Sequence, residues 1–426
     1  MDKKLLDDCF LSDRARLRHD EALAILRARI GAVVGRERLA LPAALNRVLA
    51  EAAIASQNVP AHTNAAVDGY SFAAADYRLD AATTLALSGR AAAGHPRAGV
   101  PPPGSAVRIF TGAVMPAGHD TVAMQEDART AVENGRDVVT IPSGLKPQAN
   151  VRKAGEDVKA GETVLGPGAV LRPQDLGALA ALGLAEVTCF ARLKVALLAS
   201  GDEIVRPPSA LKAGQVYDAN TPMLLGLIAG AGATAVDLGV LPDDAATVRQ
   251  RLAEAAAAYD VIITSGGASL GEEDHMVAAL DALGKRHLWQ LAIKPGRPMT
   301  FGQIGDAVVV GLPGNPVAVF VCFLLYVWPL LRRLGGAPWP EPRRFLLPAR
   351  FDFPARKIGR REFWRGSLVA EPQGLAVAKF PRDGSGLISG LRAADGLIEI
   401  PEDVSGVAWG DPVAFLPFSE FGISAR

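Results

Sequence analysis

A continuous apolar run at residues 261–264 is the feature that most constrains the fold of this chain. It leads into a turn at 265–274 that holds three glycines, two serines and three acids, and a helical pattern follows at 276–283. Strands that lack alternation are buried on both faces and belong to parallel sheets covered by helices. Because ligands of such sheets bind at the carboxyl ends of the strands, this turn is expected to face a binding crevice.

Two further apolar runs share this design. Residues 195–199 end in a serine, a glycine and two acids (200–203), and residues 307–312 end in a glycine–proline turn (313–316). Strand and helix patterns alternate from 193 to 335, which predicts βαβ units and a mostly parallel sheet. Glycine turns let backbone N–H groups approach phosphate oxygens, and carboxylates hold hard cations. The strand ends together therefore suit a polyanionic ligand.

The same region carries signals for where helices begin and end. Asn220 and Asn315 each stand before a proline-containing first turn, which predicts an N-cap, and the alanine-rich stretch 245–258 predicts a helix. The letters of 230–235 fit GxGxxA, but they follow a helix and enter a strand, so they indicate a helix stop. The apolar run 317–331 is shorter than the ~20 residues that span a bilayer and predicts a buried helix.

The flanking regions differ in pattern from the α/β region. Helical periodicity comes first, then short apolar segments broken by glycine and proline that indicate a small β domain, and after a proline-rich linker a second β region without helical periodicity. The corresponding ranges are 19–34 and 42–52 for the first helices, 65–143 for the β domain, 174–182 and 185–189 for a further helix and strand, 337–342 for the linker and 343–426 for a β-barrel or sandwich.

Composition excludes several classes of protein. The 426 residues carry 45 Lys plus Arg and 45 Asp plus Glu, so no net field favours nucleic acid or an anionic membrane. The length suggests roughly two to four domains. The three cysteines are far apart and form no CxxC pair, and acids rather than an apolar core follow Met1. These features predict a reduced cytoplasmic protein that lacks a secretory signal and does not interact with membranes.

Motif searches leave two kinds of chemistry open. GxxxxGK[ST] does not occur in the sequence, which argues against a P-loop nucleotidase. Residues 267–271 fit GxSxG between a strand and a helix, as in a hydrolase nucleophile elbow. That reading needs a later acid and histidine, and of the histidines only His275 and His287 follow. The remaining acids, a lysine and backbone donors suit metal-assisted phosphate chemistry.

Charged residues at the strand ends are the first candidates for function. Glu203, Asp243 and Asp274 could form a metal or oxyanion site, and the competing reading for Asp243 and Asp274 is helix N-capping. Lys294 and Arg297 lie in a turn stiffened by prolines, where fixed cations suit phosphate or oxyanion binding. Spacing alone does not bring Asp68, Arg152 or Asp157 to the sheet.

Nine short segments, taken in order, resemble the molybdopterin molybdenumtransferase family, which includes the C-terminal domain of gephyrin. Each segment alone is weakly specific, but together they cover nearly the whole chain. They are Asn64-Ala65-Ala66-Val67-Asp68-Gly69-Tyr70, Thr111-Gly112, Met124-Gln125-Glu126, Gly155-Glu156-Asp157, Ser200-Gly201-Asp202-Glu203, Tyr217-Asp218-Ala219-Asn220, the run 265–271 with Asp274, Ala292-Ile293-Lys294-Pro295-Gly296 and Gly311-Leu312-Pro313-Gly314-Asn315-Pro316. Gln290 departs from the family, in which a lysine is frequent at this position.

The resemblance implies a multidomain α/β subunit built around a molybdopterin-binding α/β domain. It implies elongated homodimers, with the active site between the α/β domain of one subunit and the first parts of the other. The implied domains are 1–58 with 154–190 (elongated, discontinuous), 59–153 (inserted β domain), 191–338 (α/β) and 339–426 (C-terminal β-barrel).

The implied reaction takes adenylylated molybdopterin and molybdate, releases AMP and depends on a divalent cation such as Mg²⁺. Implied partner proteins are the molybdopterin adenylyltransferase and molybdoenzyme chaperones. The residues implied for catalysis are Asp68, Asp157, Glu203, Asp274 and Lys294. Those implied for substrate binding are Thr111, Arg152, Asp218, Ser265, Gly266, Gly267, Ser269, Arg297, Pro313, Gly314, Asn315, Pro316, Arg360 and Ser385. The implied metal ligands are Glu203, Asp243 and Asp274.

Two other functions are compatible with the same fold. A non-catalytic scaffold would keep the architecture and anchor a partner protein, although the presence of Glu203, Asp274 and Lys294 argues for catalysis. A molybdopterin adenylyltransferase would share the α/β domain, but the additional β domains argue against it.

Overall fold

The computed structural model describes residues 16–266, 275–296 and 298–424. In the N-terminal part, a six-stranded sheet has the strand order β7-β4-β6-β5-β9-β8. After this sheet the chain returns to its first segment, because β12 pairs antiparallel with β1 and β11 with β2, as the resemblance implies. The elements are α1 (His19–Arg29), β1 (Arg36–Ala40), β2 (Ala53–Ile54), β3 (Asn64–Ala65), β4 (Gly69–Phe72), β5 (Thr83–Ala91), β6 (Ser105–Ile109), β7 (Thr121–Met124), β8 (Arg129–Glu133), β9 (Arg136–Ile141), β10 (Val151–Arg152), β11 (Thr163–Leu165), α2 (Pro173–Ala181) and β12 (Glu186–Phe190).

Two of the predicted helices differ from the structure. Helix α1 ends at Arg29 because Ile30 is already extended, so it is shorter than the periodicity at 19–34 indicates. The helix predicted at 42–52 is wrong, since only a 3-10 turn forms at Leu41–Ala44. Asn46 has a left-handed φ of 61°, and the N–H groups of Asn46 and Leu49 donate to carbonyls of a distant segment, residues 169–171. Tertiary hydrogen bonds thus replace the helical ones.

The central part confirms the predicted mostly parallel sheet. Its order is β16-β13-β17-β21-β20-β18; the first four strands run parallel, β20 is antiparallel to β21, and β18 is antiparallel to β20. All five residues of β17 are buried, as a strand covered on both faces requires. The elements are β13 (Lys194–Ser200), β14 (Ile204–Val205), β15 (Val216–Tyr217), α3 (Asn220–Gly230), β16 (Thr234–Leu241), α4 (Ala245–Ala258), β17 (Val261–Ser265), α5 (His275–Leu283), β18 (Lys285–Gln290), β19 (Ile293–Lys294), β20 (Pro298–Ile304), β21 (Ala307–Leu312), α6 (Pro316–Cys322) and α7 (Trp328–Leu334).

The apolar segment at 316–334 is a core helix, as predicted. A π-helical turn, Phe323–Val327, joins α6 to α7. Among the described residues, Pro316–Leu334 is the one helix long and apolar enough to cross a membrane, and 89% of its most apolar window is buried inside the protein. Its residues belong to the largest apolar cluster, which also contains strands of the central sheet.

The C-terminal part is a third six-stranded sheet, which includes one short strand from the central part. Its order is β19-β23-β25-β26-β22, with β24 beside β23. The pairing of β19 with β23 sets Lys294 opposite Glu362 and links the two parts. Helix α8 has no counterpart among the sequence predictions, whereas the closed barrel and the domain boundaries stay predictions. The elements are β22 (Phe345–Pro348), β23 (Arg361–Glu371), β24 (Gly374–Lys379), α8 (Ile388–Ala393), β25 (Gly396–Ile400) and β26 (Pro412–Pro417).

Candidate active site

A cleft of about 740 Å³ lies where the strand ends of the central sheet face the C-terminal sheet. One wall comes from the turns after β13, β16, β17 and β21 and from Lys294, Pro295, Gly296 and Pro298. The other comes from residues of β23 and β24 and the loop 380–385. Of the predicted site residues, the cleft brings together Glu203, Asp243, Gly266, Lys294, Pro313, Gly314, Asn315 and Ser385.

Glycines give the first wall an exposed backbone. Gly266 has a φ of +90°, and a Cβ atom there would lie 2.7 Å from the carbonyl oxygen of Ser200, so only glycine fits this turn without strain. The Gly266 N–H donates to Leu312 O at 3.2 Å, which ties the end of β17 to the end of β21. A Cβ atom on Gly314 would meet nothing within 4 Å. The Gly314 backbone is therefore open to a ligand oxygen.

Two carboxylates, Glu203 and Asp243, line the same wall. Gly201, with φ +135°, lets the Glu203 side chain fold back, since a Cβ atom there would lie 2.3 Å from Glu203 Oε2. Asp243 exchanges hydrogen bonds with Asp202, each backbone N–H donating to the other's carboxylate at 3.2 to 3.4 Å. These contacts hold the two acidic turns side by side.

The structure also shows that Asp243 is not the N-cap of helix α4, which was the alternative to a role in the site. Asp244, not Asp243, is the N-cap of α4, and its Oδ2 accepts from the Thr247 N–H at 2.7 Å. Hydrogen bonding with Thr247 lowers the pKa of Asp244. Asp243 is left to face the cleft.

The acids offer oxygen ligands of the kind that Mg²⁺ prefers, and Mg²⁺ is commonly held by one or two carboxylates plus substrate phosphates. Glu203 and Asp243 fit that donor chemistry. Across residues 16–266, 275–296 and 298–424, no group of three or more His, Cys, Asp or Glu side chains has metal-binding geometry. Asp274, the third predicted ligand, lies outside these ranges, as do Gly267, Ser269 and Arg297.

Lys294 supplies a cation to the same cleft, and the C-terminal sheet positions it. The Lys294 ammonium donates to Glu362 Oε2 at 3.4 Å; 46% of the lysine side chain is exposed, against 2% of the glutamate side chain. Glu362 Oε2 also accepts from the indole N–H of Trp364 at 2.9 Å, and Arg356 lies 3.9 Å from its Oε1. Glu362 is not among the site residues predicted from the sequence, because a charged residue in a strand pattern normally indicates a solvent-facing position.

The second wall is fixed by cationic side chains that bind the loop 380–387. The Arg365 guanidinium donates to Leu387 O at 2.9 Å and Arg382 O at 2.7 Å, and it lies over the Phe380 ring, 4.9 Å from the centroid. Burial lowers the pKa of Arg365. Ser385 accepts from the Val317 N–H at 2.9 Å through its carbonyl, which docks the loop on the start of α6. Arg360 is not among the residues that line the cleft; its carbonyl accepts from Arg356 at 3.0 Å.

The predicted site residues of the N-terminal part form a separate group. Thr111 donates to Asp68 Oδ1 twice, from its N–H and its hydroxyl, both at 2.7 Å, and the backbone bond is the main cause of the lowered pKa of Asp68. Arg152 lies opposite Asn64 in the β10–β3 pair, and the Asp157 N–H donates to Val59 O. None of the described residues that line the cleft comes from this part of the chain.

Asp218 and Asn220 have roles that the sequence did not predict. The N-cap predicted at Asn220 is wrong: Ala219 is the N-cap of α3, and Asp218 Oδ1 accepts from the Thr221 N–H at 3.0 Å. Asp218 is buried, pairs with Arg206 at 3.1 Å and does not line the cleft. Asn220 instead donates from Nδ2 to Ser265 Oγ and to Gly314 O, each at 2.8 Å. Ser265 is the buried end of β17, and Pro316 begins α6.

Comparison with known families agrees with this arrangement along the chain. Residues 17–183 match the MoeA N-terminal region (domain I and II), residues 196–333 match the "Probable molybdopterin binding domain", and residues 347–418 match the MoeA C-terminal region (domain IV). A molybdopterin molybdenumtransferase of Haemophilus influenzae is 40% identical over 385 residues, which is 90% of this chain and 94% of that protein. The chain belongs to the molybdopterin molybdenumtransferase family.

Further members of the family support the same fold. Molybdopterin molybdenumtransferase 2 of Mycobacterium tuberculosis is 35% identical over 85% of this chain and 90% of its own length. A crystal structure of a molybdopterin biosynthesis MoeA protein from Pyrococcus horikoshii superimposes with a TM-score of 0.80 at 30% identity, covering 95% of this chain and all of that one. The multidomain α/β architecture is thus shared across the family.

The cleft combines groups that suit a large, partly aromatic anion. Backbone donors and Lys294 attract oxyanions, whereas Glu203 and Asp243 can bind a cation. Phe363, Trp364 and Phe380 add apolar surface beside the cations of the second wall. Such a site can hold a phosphorylated ring compound by its charge and by its flat face.

Proposed function

We propose that this protein is an enzyme that transfers molybdenum from molybdate to adenylylated molybdopterin and releases AMP. Relatives up to 40% identical carry the name of this transferase, and all three family regions are present. The observation that carries the proposal is that bare glycine turns, the cation of Lys294 and the carboxylates of Glu203 and Asp243 all line one cleft. A phosphoanhydride substrate and an oxyanion co-substrate need both kinds of group.

In this proposal the strand-end turns bind phosphate, and Lys294 holds an oxyanion. Gly266 and Gly314 expose the backbone there, which lets phosphate oxygens come close. Ser265, Gly267, Ser269, Asp218 and Pro313 to Pro316 are proposed to contribute to phosphate binding. Ser385 on the second wall and Arg360 are proposed for the pterin side, and Arg297 for the oxyanion.

We also propose that a divalent cation such as Mg²⁺ is held by Glu203 and Asp243 together with Asp274. When bound, the ion would offset the charge of the phosphate oxygens. Glu203 and Asp243 would hold the ion, and the exchange of hydrogen bonds between Asp202 and Asp243 keeps the two acidic turns side by side. Lys294 stabilises negative charge on the leaving phosphate.

The N-terminal site residues are proposed to act across a homodimer. Asp68 and Thr111 are hydrogen-bonded to each other, and Arg152 and Asp157 lie in the same part of the chain, yet they do not line this subunit's cleft. We therefore propose that they contribute to the cleft of a second subunit. A mixture of Asp68→Asn and Lys294→Ala proteins is expected to regain part of the activity that each lacks alone, because one hybrid site is intact. No recovery on mixing would argue against a shared site.

We also propose that the C-terminal sheet closes into a barrel and that the protein is cytoplasmic. The Arg350 N–H donates to Val377 O at 2.8 Å and joins the segment after β22 to β24, which supports closure of the C-terminal sheet into a barrel. The buried free thiols of Cys189 and Cys322 are compatible with a reducing cytoplasm.

The test is AMP release from adenylylated molybdopterin by purified protein with Mg²⁺. The proposal predicts release that depends on molybdate and is lost in Lys294→Ala, whereas Lys285→Ala, on β18, serves as the matched lysine control. Release that does not depend on molybdate would refute the transferase. ATP-dependent adenylylation of free molybdopterin would instead support the adenylyltransferase alternative, and full function of an Asp274→Ala protein in cells would support a scaffold.

A further inference from the structure

We infer that Asn220 is a positioning residue that sets the spacing of the two glycine turns at the floor of the cleft. The inference rests on the proposed function, because it assigns Asn220 to the phosphate-binding part of that site. It also extends the site by one side chain, since Asn220 itself does not line the cleft.

The contacts of Asn220 single it out within α3. Its side-chain amide is buried, with 8% of the residue exposed, and both N–H donors of Nδ2 are used. One reaches Ser265 Oγ at the end of β17 and the other reaches Gly314 O after β21, both at 2.8 Å. Because Asp218 already caps the helix, the Asn220 side chain is not needed for the helix start.

The pairing of β17 with β21 ends before these two turns, so another contact is needed to link them. The β17–β21 ladder ends at the pair Ser265–Leu312, and the Gly266 N–H donates back to Leu312 O at 3.2 Å. Beyond this point, within the described residues, Asn220 is the side chain that bonds to both strand ends. Together with the Gly266 N–H bond, this carboxamide therefore fixes the distance between the two backbones that would face a phosphate.

The chemistry of the contact requires an amide rather than a similar side chain. Gly314 O can only accept, so its partner must donate, and a carboxylate of the same shape would place two acceptors face to face. Asn220 Oδ1 has no partner among the described residues. The two bonds that Nδ2 donates to the turns, and not any bond to Asn220 Oδ1, therefore determine how this buried amide is oriented.

The test compares Asn220→Asp with the wild type. The substitution keeps the size of the side chain and removes both Nδ2 donors; the Ser265 hydroxyl can rotate to donate to the new carboxylate, whereas Gly314 O can only accept and loses its partner. AMP binding, measured by calorimetry on the full-length protein, is expected to weaken about tenfold or more, and KM for adenylylated molybdopterin is expected to rise more than kcat falls. Ile228→Ala, a buried change on the same helix, is the matched control for lost stability.

The outcomes separate positioning from general stability. If Ile228→Ala lowers the melting temperature as much as Asn220→Asp does but binds AMP normally, the positioning role is supported. Unchanged AMP affinity in Asn220→Asp, or equal loss in both variants, would overturn it. Wild-type protein that binds AMP but shows no molybdate-dependent release would refute the proposed function and leave the role of Asn220 standing. Wild-type protein that does not bind AMP would overturn both.

Discussion

Replacing Glu362 by glutamine is expected to destabilise the junction between the central and C-terminal sheets. The carboxylate is 2% exposed and faces two cations, the half-exposed Lys294 and the buried Arg356, whose side chain is also 2% exposed. Breaking a buried ion pair by removing one partner costs about 3–5 kcal/mol. Because Arg356 keeps its bonds to the Arg360 carbonyl and glutamine can still accept from Trp364, the lower end, about 3 kcal/mol, is expected.

Urea unfolding followed by tryptophan fluorescence measures this change in the free energy of unfolding. Glu341→Gln is the matched control, because the Arg27–Glu341 pair is exposed on both sides and such pairs contribute about 0–1 kcal/mol. A double variant, Glu362→Met with Arg356→Met, removes both buried charges and is expected to recover most of the loss. A Glu362→Gln protein as stable as the Glu341→Gln control would refute the reasoning.

Two further perturbations test the glycine turn and the buried histidine. Gly266→Ala places a methyl group 2.7 Å from Ser200 O at a φ of +90°, so we expect about 1–3 kcal/mol of destabilisation and loss of AMP release. The control Gly314→Ala places its methyl group in open space and should keep wild-type stability in the same urea titration. Equal stability of the two variants would contradict this expectation. Burial is the main cause that lowers the pKa of His19 from 6.5 to about 3. Below pH 6.5 the unfolded chain therefore binds a proton at His19 that the folded protein does not bind. The contribution of His19 to the free energy of unfolding is complete above pH 6.5 and declines as the pH falls toward 3. Between pH 7 and pH 5 the loss should be about 2 kcal/mol and should disappear in His19→Gln but persist in the exposed-site control His62→Gln; an unchanged pH dependence in His19→Gln would contradict the assignment.

Continuous apolar runs made the central sheet predictable from the sequence. The strand at Val261–Ser265 and the helix at Ala245–Ala258 agree with their predicted positions, because burial on both faces and a helix-forming alanine stretch are local signals. The convergence of Glu203 and Asp243 on one cleft also follows from strand order, since parallel strands end at one edge, whereas Lys294 reaches the cleft on the short strand β19 of the C-terminal sheet.

The errors arose where distant contacts override local pattern. The helix predicted at 42–52 is replaced by hydrogen bonds from Asn46 and Leu49 to a segment more than a hundred residues away. Asn220 carries the letters of an N-cap, but its side chain instead donates to the buried Ser265 hydroxyl and to the Gly314 carbonyl at neighbouring strand ends. Glu362 looks like a surface residue in the sequence and is buried only because the short β19 strand joins the C-terminal sheet. None of these contacts has a local sequence signal.

The most direct test of the central claim is to locate bound molybdenum. Crystals of the full-length protein soaked with molybdate and AMP would be measured at the molybdenum absorption edge. If the cleft binds molybdate, an anomalous peak is expected inside it, within contact of Lys294 and near the backbone of Gly314. A peak only at sites outside the cleft, with AMP bound away from the strand-end turns, would contradict it.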